Sequence, residues 1–361
     1  MKNFFPRHFP VPKYLRMPAF GFDLSDRSLK YVLLEGNKNS LVASSFGERL
    51  IPEGVLESGE IKKSAELISF LKAIREEIRS DYCVVSLPEE KAFLVAVQIP
   101  QVNYKEIRNT IELQIEEYVP LKAEEVIFDF NIFEFDGTAI SLNVTAYPSA
   151  FILSYQNVFR QAGFMPIAFE MEMQAASRAV TSLLEEFPVM VVDFGKTRTS
   201  LGIVFRGETV YTSTIGVAGK DLNQAIAKSL GVDSFRAEEI KRQKGFVKSG
   251  DNQDVFQAML PVISAVKEEI FKHMEYWESH GSLRIKAGNK MVLKKLILLG
   301  GESNIKGFAE YLSYELKIRV TKGNPWENIV SLEEHIPEID LETSLAFSTA
   351  IGLAIRGSNL K

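Results

Sequence analysis

Two segments of the chain present an aspartate at the end of an apolar run, followed at once by small hydroxyl-bearing and basic residues. The first segment is 20–36 with Asp23, and the second is 189–207 with Asp193. Carboxylates hold magnesium, usually through water, and small residues let backbone N–H groups approach a phosphate closely. The repeat therefore predicts a cleft between two related halves that holds a triphosphate and its cation.

The candidate phosphate ligands come from these two segments and from one further loop. They are Asp23, Ser25, Asp26, Ser28 and Lys30 in the first segment, Asp193, Gly195, Lys196 and Thr197 in the second, and Gly216, Gly219 and Lys220 in the loop. Asp23 and Asp193 are the predicted metal-binding residues, and the lysines would neutralise phosphate charge. One such turn alone is more often structural, because Asp and Gly are common in turns everywhere. The recurrence in matching positions is what favours function.

A second set of residues is a candidate for the nucleoside. Gly300 and Gly301 follow an apolar strand and precede a helix, so a flat ring could approach the backbone there, although a plain strand-to-helix turn is the simpler interpretation. Glu238 and Lys241 lie one helical turn apart and could clamp a ribose and base. In isolation that pair is more simply a solvated ion pair, which stabilises a helix by only a few tenths of a kcal/mol.

Composition excludes several classes of function. A chain of 361 residues exceeds the size of a single core, so two or more domains are expected. The net charge of −5 argues against a nucleic-acid-binding surface, which would need a basic surplus. Cys83 is the single cysteine and the four histidines form no ligand pattern, so metal bound by protein side chains alone is not expected. The longest apolar run near the end, 343–355, is shorter than the roughly 20 residues that a membrane helix needs.

The first 18 residues form a basic arm. Lys2, Arg7, Lys13 and Arg16 have no acidic counterpart, and four prolines forbid a continuous helix. We expect an extended, flexible arm, and the alternative is a segment that binds a membrane surface or a partner.

Hydrophobic periodicity divides the rest of the chain into four parts. Three strands, a helix at 64–79 and a strand at 81–87 open the first half. A strand–helix–strand–strand–helix block then reads as an inserted subdomain, with a capping-box pattern at Asn103 and Glu106. We predict a first subdomain at 19–86 plus 166–188, an insertion at 87–165, a second subdomain at 189–225 plus 291–361, and a small helical subdomain at 226–290 over the nucleotide.

From Phe20 to Arg356 the chain resembles the PilM family of type IV pilus assembly proteins, actin-like relatives of FtsA. The resemblance lies in the first phosphate motif at 21–30, the second at 192–197, an adenosine motif at 299–303 that includes Ser303, and the segments 100–120, 215–222 and 237–241. It implies an α/β, actin-like (ribonuclease H-like) duplicated two-domain fold with an inserted small subdomain. It also implies ATP and Mg²⁺ as cofactors, and it makes Glu172 the candidate to orient a catalytic water, with ATP hydrolysis left open.

The same resemblance implies a scaffold at the cytoplasmic face of the inner membrane that binds the tail of a PilN-like membrane protein. The inserted subdomain is the predicted partner site, because its strand at 93–99 and helix at 103–119 could form an apolar groove with a strand edge. An extended peptide could add to that edge as a strand. The predicted contact residues are Phe93, Val95, Val97, Ile107 and Ile111. The alternative is that this face merely packs on the first half.

Two other functions stay open at this point. A small-molecule kinase of the same superfamily would need an aspartate base beside a sugar pocket, and no further Asp follows a strand between the halves. An FtsA-like division protein typically ends in a membrane-targeting helix, and little chain follows Ile355, so we expect a PilM-like protein. One departure from the family is Ser25, where glycine is usual. A Cβ there would penalise a positive φ and weaken nucleotide binding.

Overall fold

The computed structural model describes residues 18–37, 40–78, 80–135, 138–182, 184–284, 292–329 and 336–359. The arm predicted at the start of the chain therefore lies, up to residue 17, outside the described residues.

The first half is built on a five-stranded sheet in the order β10-β6-β1-β2-β3. Its strands are β1 (Phe20–Leu24), β2 (Ser28–Asn37), β3 (Ser40–Leu50), β6 (Tyr82–Leu87) and β10 (Met165–Met171). A short hairpin, β4 (Leu56–Glu57) and β5 (Glu60–Ile61), was not predicted. Helices α1 (Ser64–Glu77) and α3 (Ser149–Gln161) pack their apolar stripes on one face of the sheet.

The second half repeats this topology. Its sheet has the order β13-β12-β11-β14-β15, with strands β11 (Val189–Phe194), β12 (Thr199–Phe205), β13 (Glu208–Ile215), β14 (Lys295–Leu299) and β15 (Arg319–Lys322). In each half the first strand pairs antiparallel with its hairpin partner and parallel with the strand on its other side. The duplication predicted from the two Asp-containing segments is therefore confirmed.

Four helices cover the outer side of the second sheet: α5 (Gly219–Leu230), α6 (Ser234–Lys244), α7 (Gln253–Arg284) and α8 (Phe308–Leu316). Gly231 ends α5 in the left-handed conformation at φ 66°, as predicted for a glycine cap. Helix α7 begins at Gln253 and continues through Pro261. That residues 226–290 form a separate subdomain stays a prediction.

The inserted subdomain is a three-stranded sheet with one covering helix. It contains β7 (Phe93–Pro100), α2 (Tyr104–Tyr118), β8 (Val126–Phe135) and β9 (Ala139–Pro148), in the sheet order β7-β9-β8. The backbone N–H of Asn103 donates to the Glu106 carboxylate over 3.2 Å at the start of α2, as the capping pattern predicted.

Two helices lie between the sheets of the two halves. They are α4 (Glu172–Val180) and α10 (Ser348–Asn359), preceded by the one-turn α9 (Leu341–Ser344). Their side chains share one core with residues of both sheets. A Cβ at Gly352 would overlap the carbonyl oxygen of Ala175, so only glycine lets the two helices approach this closely. Helix α4 ends at Val180.

Candidate functional site

The two predicted metal-binding aspartates end the equivalent strands β1 and β11 and belong to one electrostatic cluster. The pKa of Asp193 is raised to about 7, above all by burial and in addition by the carboxylates of Asp23 and Glu172. Burial likewise raises the pKa of Asp23 to about 6, with Lys30 acting in the opposite direction. The structure therefore brings together the acids that the sequence placed 170 positions apart, with less positive charge around them than their full ionisation requires.

The first turn, between β1 and β2, is held together by hydrogen bonds between its two serines. The N–H and the hydroxyl of Ser25 both donate to the carbonyl of Ser28, over 3.0 and 2.9 Å, and the N–H of Ser28 donates back to Ser25 Oγ over 3.2 Å. Ser58, Arg206 and Lys317 are the non-glycine residues with positive φ in the described part of the chain. Ser25 is not among them, so the predicted backbone penalty for serine in place of glycine was wrong.

Asp26 is engaged by a neighbouring hairpin. Its carboxylate accepts the N–H groups of Ser58 and Gly59, over 3.0 and 2.8 Å, and so holds the β4–β5 turn against the first sheet. That Asp26 also contacts nucleotide stays a prediction. Lys30 stays beside the site, where its Nζ lies 3.3 Å from Ser28 Oγ and 3.6 Å from Glu48.

The second turn is joined to the N-terminus of α5. The N–H groups of Gly219 and Lys220 donate to the carbonyls of Gly195 and Lys196, over 3.0 and 2.8 Å. Gly216 faces open space, since a Cβ there would meet nothing within 4 Å. The predicted phosphate residues Thr197 and Lys220 are exposed at this surface. The structure thus places the second turn and the third loop side by side, as the prediction requires.

The candidate nucleoside residues are engaged in two ion pairs that connect different elements. Lys241, almost fully buried, pairs with Glu302 over 2.6 Å, and burial lowers the pKa of its ammonium. Glu238 pairs with Lys196 of the second turn and with Arg242 over 2.9 Å. A solvated Glu238–Lys241 pair, the simpler interpretation of the sequence, is therefore wrong. Through these ion pairs, helix α6 contacts both the second turn and the adenosine motif at 299–303.

Gly300 is where the adenosine motif meets Asp193. Its φ is 83°, and a Cβ would overlap Asp193 Oδ1 and the carbonyl oxygen of Phe194. Gly301 has room for a side chain, because a Cβ there would lie 3.9 Å from its nearest neighbour, the Cβ of Ala346. The buried hydroxyl of Ser303 donates to the Leu299 carbonyl, so this predicted site residue acts on the local backbone.

Three charged residues that the sequence analysis did not select complete the cluster. Both carboxylate oxygens of Glu172 lie 2.6 Å from Arg198 Nη2, and Glu90 lies 3.5 Å from Nη1. Glu89 is buried and accepts the N–H of Met173. Burial raises the pKa of Glu89 to about 8, with a further contribution from Glu172. Two features of the sequence could have identified these residues. A pair of glutamates follows the strand at 81–87 after one proline, and an arginine lies inside the second turn.

The predicted partner groove on the inserted subdomain does not exist as an open surface. Val97, Ile107 and Ile111 are at most 2% exposed and form the core between the sheet and α2. Phe93 and Val95 are partly buried against the same core. Three of the five predicted partner-binding side chains were therefore wrong, because the apolar stripes of strand and helix pack on each other.

A cavity of about 870 Å³ lies instead between the inserted subdomain and the first half. One wall is β8 with part of β9, and the other is β10 with α4 and the end of α10. Both β8 and β10 are edge strands of their described sheets. Asn143 in the cavity wall is 8% exposed, and its Nδ2 has no hydrogen-bond partner among the residues that the structure describes. Such a buried, unsatisfied donor is uncommon and indicates a missing acceptor.

A buried carboxylate with two arginines forms the floor of this cavity. Glu170 lies 2.7 Å from Arg178 Nη1 and 3.3 Å from Arg356 Nη1, and its side chain is fully buried. Within the described ranges, no three His, Cys, Asp or Glu side chains are grouped as metal ligands. No helix among these residues combines the length and apolar character that spanning a bilayer requires.

Comparison with known proteins shows which proteins share this architecture. The family profile for type IV pilus assembly protein PilM matches residues 21–358. A chain in a PilM–PilN type IV pilus biogenesis complex is 26% identical, with a TM-score of 0.78 over 96% of this chain and 100% of that one. MreB5 of Spiroplasma citri bound to ADP (13% identical, TM-score 0.56, 93% and 95% covered) and EutJ of Carboxydothermus hydrogenoformans (15%, 0.53, 93% and 89%) share the fold.

Curated relatives include the cell division protein FtsA of Staphylococcus epidermidis, 25% identical over 187 residues, which is 46% of this chain and 39% of FtsA. The chain thus matches about two fifths of the length of those relatives. The family match covers nearly all of the described residues, and the two sheets have the actin-like arrangement that it predicts. The chain belongs to the PilM family of type IV pilus assembly proteins.

Proposed function

We propose that the protein is an ATP-binding, actin-like scaffold of the type IV pilus assembly platform, and that it binds the N-terminal tail of a PilN-like membrane protein. Through that partner it would lie at the cytoplasmic face of the inner membrane. The observation that carries the proposal is the 870 Å³ cavity between the inserted subdomain and the first half. Family membership supports the same function, as does the similarity to a chain of a PilM–PilN complex.

The walls of the cavity suit an extended peptide. The edge strands β8 and β10 offer unpaired backbone groups, and a peptide could add to either as a further strand. Ile127 and Phe130 on β8 and Phe169 on β10 supply apolar surface for alternate side chains. Asn143 Nδ2 is a donor for which a peptide carbonyl would be the acceptor. This site replaces the groove predicted between β7 and α2.

The residues between the halves fit a nucleotide with magnesium. Asp23 and Asp193 would hold the cation, because two carboxylates whose pKa values are both raised are complementary to a divalent charge. Lys30, Lys196 and Lys220 would face the phosphates, and Gly300 and Gly301 would let a base approach the backbone. ATP with magnesium supplies the charge that these groups neutralise and a ligand that spans both halves.

The proposal concerns binding rather than turnover. Glu172 was predicted to orient water, but Arg198 holds both of its carboxylate oxygens. That pair must separate before Glu172 can accept a proton from water. Nucleotide would act by closing the halves, which shifts the population competent for partner binding.

Matched variants of one strand test the partner site. Ile127 is 43% exposed and lines the cavity, whereas Ile132 is 45% exposed on the same strand outside it. We expect Ile127→Arg to weaken binding of a synthetic PilN-like tail at least tenfold in a fluorescence titration, because a buried arginine displaces apolar contacts. Ile132→Arg should bind as the wild type does. Equal weakening by both variants, or by neither, would contradict the cavity as the site.

A further inference from the structure

We propose that the hairpin of β12 and β13 couples the nucleotide cleft to the partner cavity, and that the hydrogen bond between Glu208 and Asn131 transmits this coupling. Glu208 begins β13 of the second half, and Asn131 lies on β8 of the inserted subdomain. The inference rests on the proposed function, because it connects the two sites which that function requires. It makes Glu208 a positioning residue for the partner site.

The hairpin extends from the phosphate turn of the second half to the cavity. Strand β12 begins at Thr199, directly after the second turn, and β13 ends at Ile215, directly before the loop at 216–218. At this end of the hairpin the hydroxyl of Thr199 donates to the carbonyl of Val217 over 2.7 Å. The seven residues of β12 span about 20 Å at the usual rise of a strand. The opposite end of the hairpin is therefore about 20 Å from the second turn.

That opposite end is a tight turn that lines the cavity. Arg206 and Gly207 form the turn with φ of 52° and 80°, and a type I′ turn requires positive φ at both of its central positions. Such a turn follows the twist of its strands, and β12 is paired with β13 along its whole length with one shift in register. Gly207 and Glu208 both belong to the cavity wall. A movement of the second turn is therefore carried along a paired, two-stranded element to the cavity.

Helix α4 contacts the middle of this hairpin. Gly202 is the central residue of β12, and a Cβ there would overlap the side chain of Met173. Directly before Met173, Glu172 pairs with Arg198 of the second turn over 2.6 Å. Because the strand is packed closely on α4 at its centre, rotation about this contact displaces its two ends in opposite directions. A nucleotide that repositions the second turn would therefore also move Glu208 relative to the inserted subdomain.

At the cavity, Glu208 is bonded to the wall that a partner would use. Its Oε2 accepts a hydrogen bond from the side-chain amide of Asn131 over 2.8 Å. Asn131 lies opposite Asn143 in the register of β8 and β9, and residues directly opposite each other share one face of a sheet. Asn143 carries the Nδ2 that lacks an acceptor among the described residues. The bond from Glu208 therefore positions β8 beside the donor that we assign to a peptide carbonyl.

Nucleotide and partner then strengthen each other's binding. A ligand shifts a conformational equilibrium only by its differential affinity for the two states, so a contact must differ between them. The Glu208–Asn131 hydrogen bond is that contact, and a nucleotide held by both halves favours the arrangement that contains it. Because coupling between sites is reciprocal, a tail in the cavity raises nucleotide affinity by the same factor. The bond is accessible to solvent, so we expect a factor of about five, at the low end of the usual range.

Tail affinity measured with and without nucleotide tests the coupling. In a fluorescence titration on the full-length protein, a saturating non-hydrolysable ATP analogue with magnesium should strengthen binding of the synthetic PilN-like tail about fivefold in the wild type. This factor should fall below about twofold in Glu208→Ala and in Asn131→Ala. Any direct contact of these side chains with the tail changes both affinities alike, so the factor isolates the coupling.

Two control variants separate the hydrogen bond from the charge of the cavity. Glu208→Gln keeps an oxygen acceptor for Asn131, and Asp129→Ala removes another acid that lines the cavity on β8. Both variants should retain the factor of about five. An equal factor in the wild type and Glu208→Ala, or its loss in either control, would overturn the inference and leave the proposed function standing.

Hydrogen exchange without any tail tests the same connection independently of the partner. The analogue with magnesium should slow amide exchange in 126–132 at least about threefold in the wild type, and it should have no such effect in Glu208→Ala. A wild type that binds no tail would overturn the proposed function, and this measurement would still decide the inference. Binding of the analogue to the wild type without any change in 126–132 would overturn the inference.

Discussion

The two phosphate turns have the same fold but make different use of their polar groups. In the first turn, Ser25 and Ser28 bond to each other, and Asp26 holds the neighbouring hairpin. In the second turn, the carbonyls of Gly195 and Lys196 accept hydrogen bonds from the first two residues of α5, and the side chain of Lys196 pairs with Glu238 of α6. The first turn is therefore a closed unit that contributes Asp23 and Lys30, whereas the second is the junction at which four elements meet.

This difference separates the features that both halves share from the contacts that differ between them. Both halves have the aspartate near the end of the first strand, and the two aspartates interact electrostatically. The other polar residues of the two turns make different local hydrogen bonds and ion pairs. We therefore expect substitutions in the second half to disturb both folding and nucleotide binding, and substitutions in the first turn to have smaller effects.

The largest effect is expected from Gly300→Ala. Its Cβ would overlap Asp193 Oδ1 and the Phe194 carbonyl oxygen at a φ of 83°, which combines overpacking with backbone strain. We expect a loss of about 2–4 kcal/mol in the free energy of unfolding, measured by urea denaturation. The matched control is Gly301→Ala, where a Cβ has 3.9 Å of space, and it should change stability by less than about 1 kcal/mol. Equal stability of the two variants would show that the adenosine motif is not packed against Asp193.

Asp193→Asn should cost about 1.5–3 kcal/mol of ATP binding, a roughly tenfold to hundredfold weakening in titration calorimetry with magnesium. Asp23→Asn should act similarly, and Asp26→Asn should leave affinity unchanged because its carboxylate faces the β4–β5 hairpin. Stability without nucleotide should not fall in Asp193→Asn, since one of two repelling buried acids is removed. Unchanged affinity in Asp193→Asn, or no ATP binding by the wild type, would remove the proposed cleft.

How far the sequence predicts this site depends on the range of the interactions. Asp23, Asp193 and Gly300 were identified because each stands at a strand end, and strand ends follow from local hydrophobic patterns. The hairpin contact of Asp26 and the ion pair of Arg198 were missed for the opposite reason. Each residue makes its decisive contact with a residue distant in sequence, Gly59 and Glu172 respectively, which no local pattern encodes.

The partner surface illustrates the same limit. Amphipathic patterns in β7 and α2 correctly predicted both elements and their apolar stripes. The pattern could not tell whether the stripes face each other or a ligand, and here they form the core of the inserted subdomain. The cavity lies between edge strands β8 and β10, which are 30 residues or more apart and come together only in the tertiary fold.

A pH-dependent effect on stability is expected at Glu89, beside the second turn. Its pKa is raised to about 8, chiefly by burial, above the 4.5 of an ordinary glutamate. The folded state therefore favours the protonated form, and the stability that this provides is complete below pH 4.5 and is lost as the pH rises towards 8. A tenfold change in the acid constant is worth about 1.4 kcal/mol.

Glu89→Gln keeps an acceptor for the Met173 N–H and cannot ionise. We expect the melting temperature of this variant to match the wild type near pH 4.5 and to exceed it at pH 8.5. Glu90→Gln is the control, because Glu90 is partly exposed on the same short helical turn. A wild type that stays as stable as Glu89→Gln at pH 8.5 would show that Glu89 is ionised in the folded protein.

The smallest effect is expected at Ser25, which tests how closed the first turn is. Glycine is the usual residue there in the family, yet the φ of Ser25 is not positive, so glycine brings no relief of strain. Ser25→Gly removes the hydroxyl bond to the Ser28 carbonyl and adds backbone freedom to the unfolded chain. We expect a loss of about 1 kcal/mol in the free energy of unfolding and less than a threefold change in ATP affinity. A gain in affinity of tenfold or more would mean that the serine side chain occupies space that a phosphate needs, and that the first turn reopens on binding.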